Sequence, residues 1–340
     1  MKMRLRRTPL VPATADPPRI ERRPTAAPLT LRPFRTKLGQ LDAENRSLYA
    51  NFALSYDSVF GFGTGDSGLN DPDVKWLTSL VRRRRLHAVL DVACGTGKDV
   101  IPLRRKLPRS VALVGCDDSS AMVRQCFENS QRFAVAAVAH EEDPDSCEAL
   151  PRDGKLHLYN ADWFDLGRVF RPSSFDLLFC TNYTFAHCVT KRRMIAALRQ
   201  YSRVLKPGGW CYIDSLKFEM AYDKRRRPVS CREVNEAQRT YRGTQVLANG
   251  ARRHFLTVSD YYEYPLAIRS ILQKKAILLL EEEAGRVRHY EEFHGWLAPF
   301  DPEDFLPLLA QSGLVSVARR NVSSRRFGIL ARKPLVGRTA

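Results

Sequence analysis

The chain has 340 residues, room for two small domains or one large α/β domain with an insertion. Hydrophobic residues make up 44% of it, enough for a sizeable core, and no apolar run approaches the ~20 residues of a membrane span. A wholly unfolded chain and a helical membrane protein are thereby excluded. Fifty-five basic residues face 37 acidic ones, a net charge of +18, and the eight cysteines contain no Cys-x-x-Cys pair. Neither a disulfide scaffold nor a zinc knuckle is expected, no metal is called for, and the reading is of a cytoplasmic protein with no membrane partner.

Residues 1–40 read as a basic, proline-rich leader without fixed structure. Ten basic residues between Lys2 and Lys37 face only Asp16 and Glu21, and seven prolines remove amide donors and forbid a long helix. An inert solvated tail, an organelle import signal and a tether to nucleic acid are the readings open for it. The lack of serine and the wealth of proline speak against import.

A helix is expected over 41–60, then a loop with Gly61, Gly63, Gly65 and Gly68. A second helix spans 71–84, with Asp71-Pro72 at its start and arginines 82–85 at the negative end of its dipole. Short apolar runs at 88–93, 111–116, 156–160, 175–181 and 210–214 alternate with helical or turn-rich stretches. That alternation is the pattern of a parallel sheet buried on both faces. The helix at 191–205 places Met194, Leu198, Tyr201, Val204 and Leu205 on one face and stops at Lys206-Pro207-Gly208-Gly209. Residues 218–300 read as a strand-rich insertion with strands at 255–264 and 268–282 and a basic run at 224–227. Tyr261 and Tyr262 are its candidates to face a substrate, although packing is the default role. A helix from Asp301-Pro302-Glu303 to Gln311 and two strands at 314–320 and 327–333 close the chain.

The strongest signal is the end of the first strand, Asp91-Val92-Ala93-Cys94-Gly95-Thr96-Gly97-Lys98-Asp99. Gly95 and Gly97 let a ligand approach the backbone, but Ala93 replaces the first glycine of a dinucleotide fingerprint and the third is missing. Asp91 suits a cationic or amino-bearing ligand better than a phosphate. The second strand ends at Asp117-Asp118-Ser119-Ser120-Ala121-Met122, where a carboxylate can accept two ribose hydroxyls. The third ends at Asn160-Ala161-Asp162-Trp163, a carboxylate and an indole suited to an adenine amino group and ring face. Each acid alone reads as a helix cap; their succession at strand ends reads as a site.

Over residues 47–334 the sequence resembles the class I S-adenosylmethionine-dependent methyltransferases. DVACGTG at 91–97 is similar to the glycine motif of that family, GCDDSSAMV to its ribose motif, NADW to its adenine motif and LKPGG to the marker before its fifth strand. VLDVACGTGKD, FDLLFCTNYTFAHC and PGGWCYID look most like the glycine and sarcosine N-methyltransferases. The resemblance implies a Rossmann-like, mostly parallel seven-stranded α/β sheet with helices on both faces, formed by 41–217 and 301–340. It also implies S-adenosyl-L-methionine as cofactor. Tyr56, Asp91, Ala93, Cys94, Gly95, Gly97, Asp117, Asp118, Ser119, Met122, Asn160, Ala161, Asp162, Trp163, Cys180 and Thr181 are the expected cofactor residues.

Transfer of a methyl group needs an acceptor lone pair held in line at near-attack distance. Asn182, Tyr183 and His187 follow the fourth strand, where a parallel sheet opens its ligand crevice, and are the catalytic candidates; a purely structural His187 is the competing reading. The chain departs from the glycine-type pattern after the fifth strand. Leu216 stands where those enzymes carry a carboxylate-binding arginine, Lys217 comes one residue later, and 58–74 contains neither Lys nor Arg. These departures argue against glycine itself: either Lys217 reaches the carboxylate of a larger amino acid, or the acceptor has no carboxylate and Lys217 faces solvent, the commoner setting of a lysine. The leading expectation is a small-molecule N-methyltransferase acting on an amino acid, amine or imidazole. The alternative is an RNA-directed enzyme of the mRNA cap guanine type, which the charge favours but the scattered basic residues do not. A scaffold that has lost cofactor binding is a third reading, opposed by the retention of Asp91, Gly95, Gly97 and Asp117. The sequence is silent on oligomeric state.

Overall fold

The structure, a computed structural model, describes residues 37–60, 67–140, 150–217, 240–246, 250–323 and 326–335. Most of the basic leader, the glycines at 61, 63 and 65, the basic run at 224–227, Cys147 and Cys231 lie outside the described residues.

Helix α1 (Leu38–Phe60) leads, followed by a 3-10 turn and α2 (Pro72–Arg84). Asp71 caps α2 by accepting the N–H of Asp73 at 2.7 Å. Arg85 ends it in the left-handed region (φ 51°), its N–H returned to the carbonyls of Arg82 and Val81. The chain then lays down β1 (Ala88–Asp91), α3 (Val100–Lys106), β2 (Ala112–Asp117), α4 (Ser120–Arg132), β3 (Ala137–His140), β4 (Leu156–Asn160), α5 (Leu166–Val169), β5 (Phe175–Cys180), α6 (Lys191–Val204) and β6 (Leu205–Leu216). Beyond these come β7 (Thr240–Val246), β8 (Arg252–Glu263), β9 (Ile271–Glu283), β10 (Arg286–Leu297), α7 (Pro302–Gln311), β11 (Val315–Asn321) and β12 (Arg326–Arg332). Asp304 accepts the N–H of Asp301 at 3.0 Å and so fixes the start of α7.

The main sheet has the strand order β11-β12-β6-β5-β1-β2-β4-β3. Strands β1 to β6 pair in parallel, and β12 runs antiparallel to β6 and β11. The sheet thus has eight strands, not the expected seven. The extra one, Ala137–His140, lies on the edge with its side chains mostly half-exposed, and four residues are too few to carry a periodic signal. A second difference concerns Lys206-Pro207-Gly208-Gly209. Phe175 pairs with Leu205 and Leu177 with Trp210, so β6 starts directly after α6 and this tetrapeptide bulges within it. A Cβ on Gly209 would sit 2.9 Å from the carbonyl of Lys206 and 3.2 Å from that of Phe175, which explains the glycine.

Alternation along β1 shows how the layers form. Leu90 faces a core built with Met194, Leu198 and Tyr201 of α6 and Phe305 of α7. Val89 faces the opposite core, with Val74 and Leu77 of α2, Ile101 of α3 and Cys126 of α4. Strands β7 to β10 form a separate antiparallel sheet in the order β10-β9-β8-β7. Leu48 and Phe52 of α1 pack on its Ile277, Leu279 and Phe293, so α1 lies against the second sheet. Strand order reverses at β1, with β2 on one side and β5 on the other, which places a crevice at the carboxyl ends of these strands.

Candidate active site

The crevice is a cleft of about 950 Å³, its open mouth included, bounded by α1, the β1–α3 turn and the ends of β2, β4 and β5. Its floor is built by backbone hydrogen bonds. Val92 N–H donates to Phe179, Cys94 N–H to Cys116 (2.9 Å), and the buried Asp91 accepts the N–H of Ala93 at 3.1 Å. Gly95 adopts φ +52°, donates its N–H to Asp117 Oδ2 at 2.9 Å, and has open space where a Cβ would stand. Asp117 Oδ1 accepts the N–H of Ser119 at 3.1 Å. Each Asp117 oxygen therefore keeps a lone pair for a hydroxyl. Burial and the neighbouring Asp118 push this carboxyl up to about 7.

The expected cofactor residues divide into two groups. Tyr56, Ala93, Cys94, Gly95, Asp117, Asp118, Met122, Asp162 and Trp163 line the cleft. Asp91, Gly97, Ser119, Asn160, Ala161, Cys180 and Thr181 lie behind the lining. Ser119 caps α4 by accepting the N–H of Met122. Asn160 and Ala161 donate to the carbonyl of Asp117 at 2.9 and 3.0 Å. Cys180 is fully buried in the core, and Thr181 donates to Asp99 Oδ2 at 2.6 Å. Gly97 is needed for packing: a Cβ there would stand 2.5 Å from Ile101 Cδ1 and 2.8 Å from Cys126 Sγ, at φ +95°. Gly97→Ala should therefore cost about 3 kcal/mol or more of stability. Gly95→Ala should cost only about 1 kcal/mol in backbone strain, and its side chain should weaken cofactor binding instead. Thermal unfolding and calorimetry of the two variants would separate these effects; equal melting temperatures would refute the distinction.

On the acceptor side, Asn182, Thr184 and His187 line the cleft. Asn182 and Tyr183 are both left-handed (φ 58° and 54°), a costly pair for side-chain-bearing residues. Asp214, at the end of β6, holds this turn by accepting the Tyr183 N–H at 2.6 Å and is itself paired with Arg326. Arg326 and Arg320 also pair with Asp73 of α2. His187 is occupied at both ring nitrogens. The carbonyl of Trp296 accepts from Nδ1 at 2.8 Å, so Nε2 carries the lone pair and accepts the Tyr49 hydroxyl at 2.7 Å. Burial pushes the His187 imidazole down to about 4, with the Lys275 ammonium acting the same way. His187 is thus neutral, with both ring nitrogens engaged.

Lys217, Tyr183, Tyr261 and Tyr262 do not line the cleft. Lys217 sits half-buried at the end of β6; Tyr261 accepts a weak bond from Gln273, and the Tyr262 ring packs 5.5 Å from that of Trp296. Sequence reasoning missed much of the opposite wall: Asp42, Asn45, Arg46 and Tyr49 of α1, Phe164, and Arg193 of α6. It also passed over Thr96, Lys98 and Asp99, whose signal was present as polar residues inside and directly after the glycine turn. Asp57, next to Tyr56, locks α1 to that turn by accepting from Thr96 Oγ1 and from Asn129 Nδ2, the latter at 2.7 Å.

The cleft is acidic although the chain is basic. Asp42, Asp99, Asp117, Asp118 and Asp162 line it, and burial raises the pKa of each. Such a lining favours a ligand that brings positive charge. A sulfonium and an α-ammonium on a ribosyl adenine fit these donors and acceptors, with Asp117 placed for the ribose hydroxyls and Trp163 for the ring.

The fold and this cleft are those of an α/β protein with a ligand site at the carboxyl ends of its parallel strands. A family model described as a methyltransferase domain matches residues 90–213. Rat (Rattus norvegicus) glycine N-methyltransferase is 27% identical over 161 residues, covering 46% of this chain and 49% of that protein. The chain thus spans about half the length of the curated relatives it matches. Among solved structures, the sugar N-methyltransferase KedS8 from a Streptoalloteichus species superposes with a TM-score of 0.56 at 21% identity, over 82% of this chain and 92% of that one. The CcbJ methyltransferase of Streptomyces caelestis gives 0.57 at 20%, over 85% and 99%. Residues 90–213 thus carry a methyltransferase domain, set in the fold of S-adenosylmethionine-dependent methyltransferases, and the cofactor is S-adenosyl-L-methionine.

Proposed function

We propose that this chain transfers a methyl group from S-adenosyl-L-methionine to a nitrogen of a small molecule. The observation that carries the reading is the composition of the acceptor side. Tyr49, Asn182 and Thr184 present neutral hydrogen-bonding groups beside the buried Asp99, a setting that receives an amine N–H. The Tyr49 hydroxyl, donating to His187, keeps lone pairs to accept from the acceptor nitrogen. Asn182 is held by donation from Nδ2 to Asp99 at 3.0 Å, and its Oδ1 accepts from the Lys98 ammonium at 3.0 Å. These groups orient the amine, and the bound cofactor supplies the electrophilic methyl. Holding the partners in line is the main catalytic work left to the protein. The glycine and sugar N-methyltransferases among its relatives support a nitrogen acceptor.

A methyl-transfer screen with labelled cofactor against free amines, amino acids, amino sugars and RNA tests the reading. Label should enter free amines. Labelling of RNA alone would overturn it.

A further inference from the structure

Three cations line the cleft: Arg46, Lys98 and Arg193. Arg193 pairs with Asp42 at 2.7 Å and lies 4.2 Å over the Phe164 ring. Arg46 faces Asp162 at 3.9 Å. Lys98 differs. Its half-buried ammonium donates to the neutral Asn182 Oδ1 at 3.0 Å, and no described carboxylate lies within ion-pair distance of it. Asp99, the next residue, spends Oδ2 on Thr181 (2.6 Å) and on Asn182 Nδ2 (3.0 Å).

We infer that the methyl acceptor carries a carboxylate close to its amine, as an amino acid does, and that Lys98 binds that carboxylate; the inference rests on the small-molecule reading above. A partly desolvated ammonium whose one hydrogen bond goes to an amide, and whose nearby Asp99 carboxylate attracts it without a direct ion pair, gains when an anion arrives. The arriving carboxylate takes over the ammonium from Asn182 Oδ1. That oxygen is then released to accept an N–H of the acceptor amine, so one exchange of hydrogen bonds seats both ends of an α-amino acid. The left-handed turn at 182–183, held by Asp214, fixes the amide for this exchange. Lys98 thereby takes the carboxylate-binding role that was one of the two readings of Lys217, which lies outside the cleft lining.

The cofactor also bears a carboxylate, so the test separates the two anions. Wild type, Lys98→Met and Lys98→Arg are compared in the full chain, using the best amino acid from the screen and its carboxamide. Cofactor affinity is measured by calorimetry in parallel. Wild type should prefer the acid over the amide at least tenfold in kcat/KM. Lys98→Met should bring that ratio near one through the KM of the acid, Lys98→Arg should restore part of it, and cofactor Kd should stay within about twofold. An unchanged acid-to-amide ratio in Lys98→Met overturns the inference. So does a loss confined to cofactor affinity, which would assign Lys98 to the cofactor's own carboxylate. Should wild type methylate RNA and no free amine, the small-molecule reading fails and this inference falls with it.

Discussion

Asp117→Ala should weaken S-adenosyl-L-methionine binding roughly ten- to hundredfold, since loss of a charged hydrogen-bond partner costs about 1.5–3 kcal/mol. The carboxylate stands at the end of β2 with one lone pair on each oxygen uncommitted after the bonds to Gly95 and Ser119. Its half-buried carboxyl is pushed up to about 7 by desolvation and by Asp118. Ribose hydroxyls donate to the ionised form, so binding draws the proton off. Affinity should be level above pH 7 and should decline as pH falls through 7. The unliganded fold has the opposite slope. It holds a proton that the unfolded chain releases near the ordinary carboxylate value, so this group's contribution to stability is lost as pH rises from about 4 to about 7. Asp117→Asn, which keeps the shape, should flatten both dependences. Calorimetry between pH 5.5 and 8.5 checks the first, and thermal unfolding over a wider range checks the second. Unchanged affinity in a folded Asp117→Ala protein would remove this residue from the cofactor site.

The second large effect concerns His187. With its imidazole pushed down to about 4 it is neutral throughout the working range, and both nitrogens are engaged. The pH–rate profile of the wild type should show no limb near the usual histidine value of ~6.5. His187→Ala strands the Tyr49 hydroxyl, while the carbonyl of Trp296 keeps its bond from Asn45 Nδ2 at 3.2 Å. It should destabilise the protein by about 1–3 kcal/mol. Tyr49→Phe removes only the hydroxyl. It should leave stability within about 1–2 kcal/mol and lower kcat/KM, because the cleft loses an acceptor-facing oxygen. A limb near pH 6.5 that disappears in His187→Gln would restore the general-base role and refute the orienting one.

The amino-acid sequence by itself determined the parts of this protein that depend on a few neighbouring residues. Asp71-Pro72 and Asp301-Pro302 start helices because a carboxylate and a preset φ act within one turn. The β1 strand and its glycine turn are legible because apolar run, acid and glycines fall within nine residues. Asp117 was legible for the same reason, as an acid directly ending an apolar strand. Strand β3 was not, since an edge strand of four residues with half-exposed side chains needs no distinctive pattern. The far wall of the cleft was illegible for a different reason. Asn45 both donates to the carbonyl of Trp296 and accepts its N–H across 251 positions, and Tyr49 reaches His187 across 138. The packing of α1 against the second sheet brings these pairs together, through Leu48 and Phe52 on Ile277, Leu279 and Phe293. Within α1, Asp42, Asn45, Arg46 and Tyr49 look like ordinary solvent-facing residues of a helix. Only the burial of its apolar side against the second sheet decides that the flank beside it closes a site. Tertiary structure likewise sorted the glycines, turning Gly95 towards open space and Gly97 into Ile101 and Cys126, because what a missing Cβ makes room for depends on what packs beside it.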